Sequence, residues 1–96
     1  MTDEFDDKRP NPRLKAIFME ILDNQLRDSN PKETKETFQR LVMMGIAEHE
    51  VRRLLALVIA SETFDIMKRE EHFNHARFVE RLNLLPEMPW MDEEEE

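Results

Sequence analysis

The sequence predicts an all-α fold, a compact four-helix domain around a central apolar helix at about residues 47–70, with disordered acidic ends. Three observations predict it. The run Leu54-Leu55-Ala56-Leu57-Val58-Ile59-Ala60 sits in the middle of one long helical pattern. At about 100° per residue its side chains cover the whole circumference, and a helix apolar all round must be wrapped by others. Turn and strand chemistry is scarce, with one glycine and no tyrosine, which argues against an all-β fold. Finally, separate segments open with helix-start signals and carry apolar residues at a 3.6-residue period.

Taken in order, Asn11-Pro12 supplies an N-cap and a proline at the first helical position, where its missing N–H costs nothing. Leu14, Ile17, Phe18, Ile21, Leu22 and Gln25 continue the period, so helix 1 runs to about Arg27. Asn30-Pro31 repeats the device, with Glu33 placed as in a capping box. Helix 2 carries Thr34, Phe38, Leu41 and Val42 inward and stops at Gly45, a natural left-handed terminator. Ile46 and Val51 suit a hydrophobic staple at the start of helix 3, with Glu50 favourable in its first turn. Asn74 caps helix 4, Phe73 and Phe78 form a second staple, and Phe78, Val79, Leu82 and Leu85 make its buried stripe. Pro86 and Pro89 end that helix, so the segment from Leu85 to Trp90 is expected to be extended, with Trp90 packing it back on the bundle. Short turns favour neighbours in sequence order as neighbours in space.

Ninety-six residues make one domain. Its net charge of −8 is unevenly spread. Residues 1–9 hold four acids and two bases (−2), residues 92–96 hold five acids (−5), and residues 10–91 hold 13 acids and 12 bases (−1). The expected organisation is a disordered segment 1–9, a helical domain 10–91 and a disordered acidic tail 92–96, since like charges repel and resist packing. The absence of cysteine excludes disulfides and thiolate zinc sites. No apolar run reaches the length of a membrane span, and the acidic N-terminus lacks a secretory pattern. The expected setting is cytoplasmic, with no membrane partner.

Residues 37–56 allow a helix-turn-helix reading, with Gly45 in the turn and Arg52 and Arg53 near phosphates. Against it, Leu41 is bulky where the motif wants a small residue, and Glu48 and Glu50 carry the wrong sign. A nearly neutral body cannot neutralise phosphates, so nucleic acid is the weakest of the partner readings.

His49 and Arg53 are one helical turn apart and lead into Ala56, Ala60, Phe64 and Met67, so the pair is expected at the end of a packed seam. There His49 is read either as a titrating pocket group or as a histidine bonded to a neighbour. Glu62 interrupts the apolar stripe of Leu55, Val58 and Ile66. A desolvated carboxylate is either a tuned base or half of a structural ion pair. The pair is the preferred reading, with Arg40, Arg77 or Arg81 as partner. Lys15, Met19 and Asp23 line one side of helix 1 without metal-binding character, and His72 and His75 lack a third ligand. No phosphate loop, nucleophile elbow or His-Glu-x-x-His motif is present. No catalytic residue and no cofactor follow from the sequence.

Taken together, Asn11-Pro12-x-Leu14, Asn24-Gln25, Pro31 with Glu33 and Thr37, Arg40-Leu41, Gly45, His49-Glu50, Glu62 and the closing Leu85-Pro86…Pro89-Trp90 resemble a family of small bacterial helical proteins of unknown function, over residues 11–90. The resemblance implies histidines where Lys15, Met19 and Arg53 stand here and a glutamate at Asp23, a divalent-metal site in a bundle. This chain retains only His49, Asp23 and Glu62 of that set. The resemblance therefore implies a lost metal site whose polar cluster, His49, Asp23, Glu62, Lys15 and Arg53, is held by salt bridges instead.

The sequence is thus read as a non-catalytic protein-interaction or regulatory module, with a vestigial metal-binding protein or enzyme as the alternative. Seven methionines and six phenylalanines also allow self-association through an adaptable apolar patch.

Overall fold

The computed structural model describes residues 12–93, with side chains to Met91. Among them the helices are α1 (Pro12–Asp28), α2 (Lys32–Met43), α3 (Glu48–Arg69), α4 (His75–Leu84) and a short α5 (Pro89–Glu93). The all-α expectation holds, and the bounds of the first four helices fall within a residue or two of those expected.

α3 is the axis because its apolar residues are spread around most of its circumference. Val51, Leu54, Leu55, Ala56, Val58 and Ile59 are all buried. Against them pack Phe18 and Leu22 of α1, Leu41 of α2, and Phe78 and Leu82 of α4, closed off by Leu85 and Trp90. Each large side chain buried this way is worth about 1.5–3 kcal/mol over leaving it in water. The enclosure is incomplete on one flank, where Leu57 and Ala60 are only half-buried and Phe64 and Met67 lie exposed. Val42, expected to face inward, is also exposed; Thr37, one turn before Leu41, takes an inward position of α2 instead.

The helix ends explain the turns. At the end of α2, Ile46 N–H donates to Leu41 O at 3.3 Å and Gly45 N–H to Val42 O at 2.9 Å, with Gly45 at φ +94°. This is a complete Schellman turn, with Ile46 packed on the core beside Leu41. α1 and α3 close with the same backward bond, Asn30 N–H to Gln25 O and Glu71 N–H to Ile66 O. Their left-handed residues are Ser29 and Glu70, at φ 52° and 53°.

Both staples form in outline. Ile46 and the fully buried Val51 belong to one cluster at the start of α3. Phe73 and Phe78 lie 5.6 Å apart by ring centroid, while Asn74 Oδ1 accepts from Arg77 N–H at 3.0 Å and caps α4. The cap expected from Asn30 does not form. α2 starts one residue later, with Pro31 at the cap position and no side-chain bond; Pro31 O accepts from Thr34 N–H instead. The segment expected to be extended as far as Trp90 turns helical at Pro89, which occupies the first position of α5. α5 also takes in Asp92 and Glu93, where the disordered tail was expected to begin; residues 94–96 and the segment 1–9 lie outside the described residues.

A left-handed non-glycine residue costs about 1–2 kcal/mol. Glu70→Gly is therefore expected to raise the thermal midpoint by several degrees, on the scale of about 4–8 °C per kcal/mol for a domain of this size. Gly45→Ala is expected to lower it, although an added Cβ would touch nothing within 4 Å, because its cost lies in the backbone angle alone. Thermal unfolding followed by circular dichroism checks both signs; shifts in the same direction would contradict this account of the turns.

Candidate functional site

The flank of α3 left open becomes a groove. Ala56 and Ala60, one turn apart, carry small side chains that leave space beneath α1. The groove so formed has a volume of about 340 Å³ and is walled by Leu14, Phe18 and Met19 on one side and by Leu57 and Phe64 on the other. Phe18 meets Phe64 edge to face, with centroids 6.0 Å apart. Phe18 is buried, yet Phe64 is 49% exposed, and Met67, on the same face three residues on, is 68% exposed.

Two cations stand among the lining residues, Lys15 and Arg53. Arg53 holds Glu50 through two hydrogen bonds, Nε to Oε1 at 2.9 Å and Nη2 to Oε2 at 2.6 Å. These bonds push the Glu50 carboxyl below its ordinary range and the Arg53 guanidinium above its own. The depressed carboxyl means that the pair is intact above the ordinary carboxylate range and is lost as pH falls. Lys15 makes no ion pair with any described residue. The arrangement is an apolar trough with one engaged and one available positive charge.

The five members of the expected polar cluster do not come together. Lys15 and Arg53 share the groove. Asp23 reaches across from α1 to Arg52, with Arg52 Nη2 donating to its Oδ1. His49 is exposed at the beginning of α3, beside the exposed Ala47 and Glu48, and is not sealed in a packed seam. Glu62 lies thirteen residues farther along the same helix, about 20 Å at 1.5 Å per residue, so His49 and Glu62 cannot ligate one ion with bonds near about 2 Å. Among the described residues no group of three or more histidine, aspartate or glutamate side chains is placed to hold a metal ion. His75 approaches Glu33 at 3.6 Å in an open cleft between α2 and α4, and His72 is exposed.

Glu62 is the structural pair that the sequence favoured. It is 2% exposed and accepts from Arg77 Nε and Nη2, both at 2.9 Å, and from Asn74 N–H at 3.0 Å. The hydrogen bonds that Arg77 donates to Glu62, followed by its contact with Glu71, push the guanidinium above its ordinary value despite its partial burial. Arg81 stands 3.9 Å from Glu62 and 2.7 Å from the buried Asp65. Arg81 reaches Asp65 Oδ2 through Nη2 and Glu62 through Nη1; neither Asp65 Oδ2 nor Nη1 has a well-directed hydrogen bond, so these groups meet by charge rather than along an N–H axis. Trp90 covers them, with its ring centroid 5.4 Å from the Arg81 guanidinium carbon and its Nε1 donating to Ser61 Oγ at 3.1 Å.

Arg40, a candidate partner of Glu62, does other work. It donates to Leu82 O at 3.0 Å and Leu85 O at 3.1 Å, adding a second partner to the Leu82 carbonyl, which also accepts from Leu85 N–H, and so caps the end of α4. Asp65 and Ser61 were not singled out in the sequence. Their signal was available, since both lie on the Glu62 side of α3, where the apolar run stops.

Compared with protein-family models, with curated proteins and with solved structures, the chain matches none.

Removing one partner of a buried ion pair costs about 3–5 kcal/mol because the other charge is stranded. Glu62→Ala is expected to fall in that range by urea denaturation. Arg52→Ala, which breaks a pair whose aspartate side chain is 55% exposed, is expected to cost less than about 1 kcal/mol. Equal losses would mean that the Glu62 network is not what ties α4 to α3.

Proposed function

We propose that this chain is a non-catalytic protein-interaction module whose α1–α3 groove receives an acidic amphipathic helix from a partner protein. The observation that carries the reading is the groove itself, an apolar trough that the fold leaves uncovered and lines with Lys15 and Arg53. Helix-in-groove recognition uses apolar anchors at helical spacing for affinity and flanking charge for orientation. The seam of Ala56, Ala60 and Phe64 offers the first, and Lys15 favours an acidic flank. Exposed Phe64 and Met67 extend the apolar contact beyond the groove. The resemblance to small bacterial helical proteins supports a bacterial, cytoplasmic setting.

The alternatives have weaker support. Asp23 and Glu62 are each already held by arginine, which argues against a metal centre built on them with His49. Arg52 and Arg53 are each held by a carboxylate, which weakens any phosphate-binding role. The same apolar face could pair with its copy, and that outcome is read directly in the test.

The probe is a synthetic helix with leucines at i, i+4 and i+7 flanked by glutamates, titrated into the protein and followed by amide chemical shifts. The expected result is perturbation of Lys15, Ala56, Leu57, Ala60 and Phe64 with α4 unmoved. Lys15→Glu, a surface change within about 0.5 kcal/mol of neutral for folding, is expected to weaken binding tenfold or more. Absence of binding, perturbation centred elsewhere, or shifts that grow with protein concentration without peptide would each overturn the reading.

A further inference from the structure

We propose that the α1–α3 groove fixes the direction of its guest: a partner helix docks with its acidic end over Lys15 and Lys68, at the Phe64 end, and its uncharged end beside Arg53. The inference deepens the reading of the groove given above and rests on it.

α1 and α3 run antiparallel. Asp23, late in α1, meets Arg52, early in α3, whereas Phe18, earlier in α1, meets Phe64, later in α3. The trough therefore has two distinct ends. Arg53 stands at one, next to the Asp23–Arg52 pair. Phe64 stands at the other, toward which α1 carries Lys15. Lys68 follows Phe64 by four residues, so it lies one turn farther along the same face of α3. It is exposed and, like Lys15, makes no ion pair with any described residue.

The two ends differ in charge. At the Arg53 end both arginines are already held, Arg53 by Glu50 and Arg52 by Asp23, and the first turn of α3 adds the acidic Glu48. At the Phe64 end the two lysines stand uncompensated, while Arg69 and Glu70 beyond them carry opposite signs. The fifteen residues from Arg53 to Lys68 span about 22 Å of helix axis. Salt screens exposed charges over about 8 Å at physiological ionic strength, so each end of the trough is felt separately by a guest. Apolar anchors alone fit in either direction, and the lysines break that tie. A guest helix also carries about half a charge at each terminus from its own dipole. A cluster of carboxylates outweighs that, so the place of the acids, not the N-to-C direction, sets the orientation.

Two synthetic helices with blocked termini, added to the full-length protein, provide the test. Both carry leucines at i, i+4 and i+7. One has glutamates at its N-terminal end and glutamines at its C-terminal end, and the other has the reverse. Each bears a nitroxide at its glutamate end. The expected result with both is paramagnetic broadening of the Phe64 and Lys68 amides several-fold beyond that of His49 and Arg53. Moving the nitroxide to the glutamine end is expected to invert the pattern. Lys68→Glu, a change at an exposed site, is expected to weaken both helices about five-fold while changing the affinity of an all-glutamine helix less than about two-fold. Equal broadening at the two ends, or broadening that follows the N-to-C direction of the peptide, would overturn the proposal and leave the groove as a partner site. So would a Lys68→Glu variant with unchanged affinity, or one that loses the all-glutamine helix equally. Failure of both glutamate-bearing helices to bind would overturn the groove reading itself.

Discussion

The rest of this structure follows from the need to cover α3. Six apolar residues between Val51 and Ile59 are buried on it, distributed around the helix rather than along a stripe, so no single neighbour can shelter them. Each covering helix brings little of its own. α1 buries only Phe18 and Leu22, α2 contributes one apolar residue, Leu41, with Thr34 and Thr37, and α4 contributes Phe78 and Leu82. Helices of 10 to 17 residues are marginal by themselves in water. They exist because the axis gives each an apolar surface to dock against, and the axis stays dry because all three are present.

Past Ile59 the axis changes character. Ser61, Glu62 and Asp65 are buried where a continuing apolar stripe would have stood. Charges are tolerated there only because α4 brings Arg77 and Arg81 to meet them and α5 lays Trp90 over the assembly. Buried ion pairs of this sort add little net stability compared with a well-packed apolar equivalent, since desolvation offsets attraction. Their effect is on registry. If α4 slid by one turn along α3, carboxylates and guanidinium groups would be buried without partners, whereas Phe78 and Leu82 could find other apolar contacts. The network thus selects one docking of α4, and the Arg40 fork on Leu82 and Leu85 carbonyls fixes α2 to the same helix end.

How far all this was legible depends on whether the cause was local. The four main helices, the Gly45 terminator, the Asn74 cap and the Phe73–Phe78 staple are written in neighbouring residues, and each could be read directly. Glu62 stood out because it broke a period, and two of its three candidate arginines are its partners. What escaped reading was set by distant contacts. Asp23 meets Arg52 twenty-nine residues away, which no local pattern announces. Asn30 fails as a cap although its sequence context is ideal, because the chain leaves α1 through a left-handed Ser29 and α2 starts a residue late. His49 had been drawn into a seam by helical projection alone. The seam exists, but α1 covers its middle and leaves His49 outside. The groove was invisible for the same reason: the sequence shows a run of small and apolar residues but not which of them its neighbour will reach.

The two neighbours of α3 that flank its length, α1 and α4, are held to it differently. α4 is tied to α3 by buried ion pairs, whereas α1 meets it through apolar packing, in which Phe18, Met19, Ile21, Leu22 and Leu26 join the core, and through one exposed ion pair, Arg52 to Asp23. Ala56 and Ala60 present little side chain to the groove, and Phe18 and Phe64 meet edge to face among its lining. Closing the gap would bury Ala56, Leu57 and Ala60 further but would require Phe64 to leave its edge-to-face contact. A larger residue at either alanine would fill the trough from below, at the expense of its capacity for a guest. A chain selected only for stability could have made that exchange. Small residues opposite a half-exposed aromatic keep an apolar surface open on one side of the core.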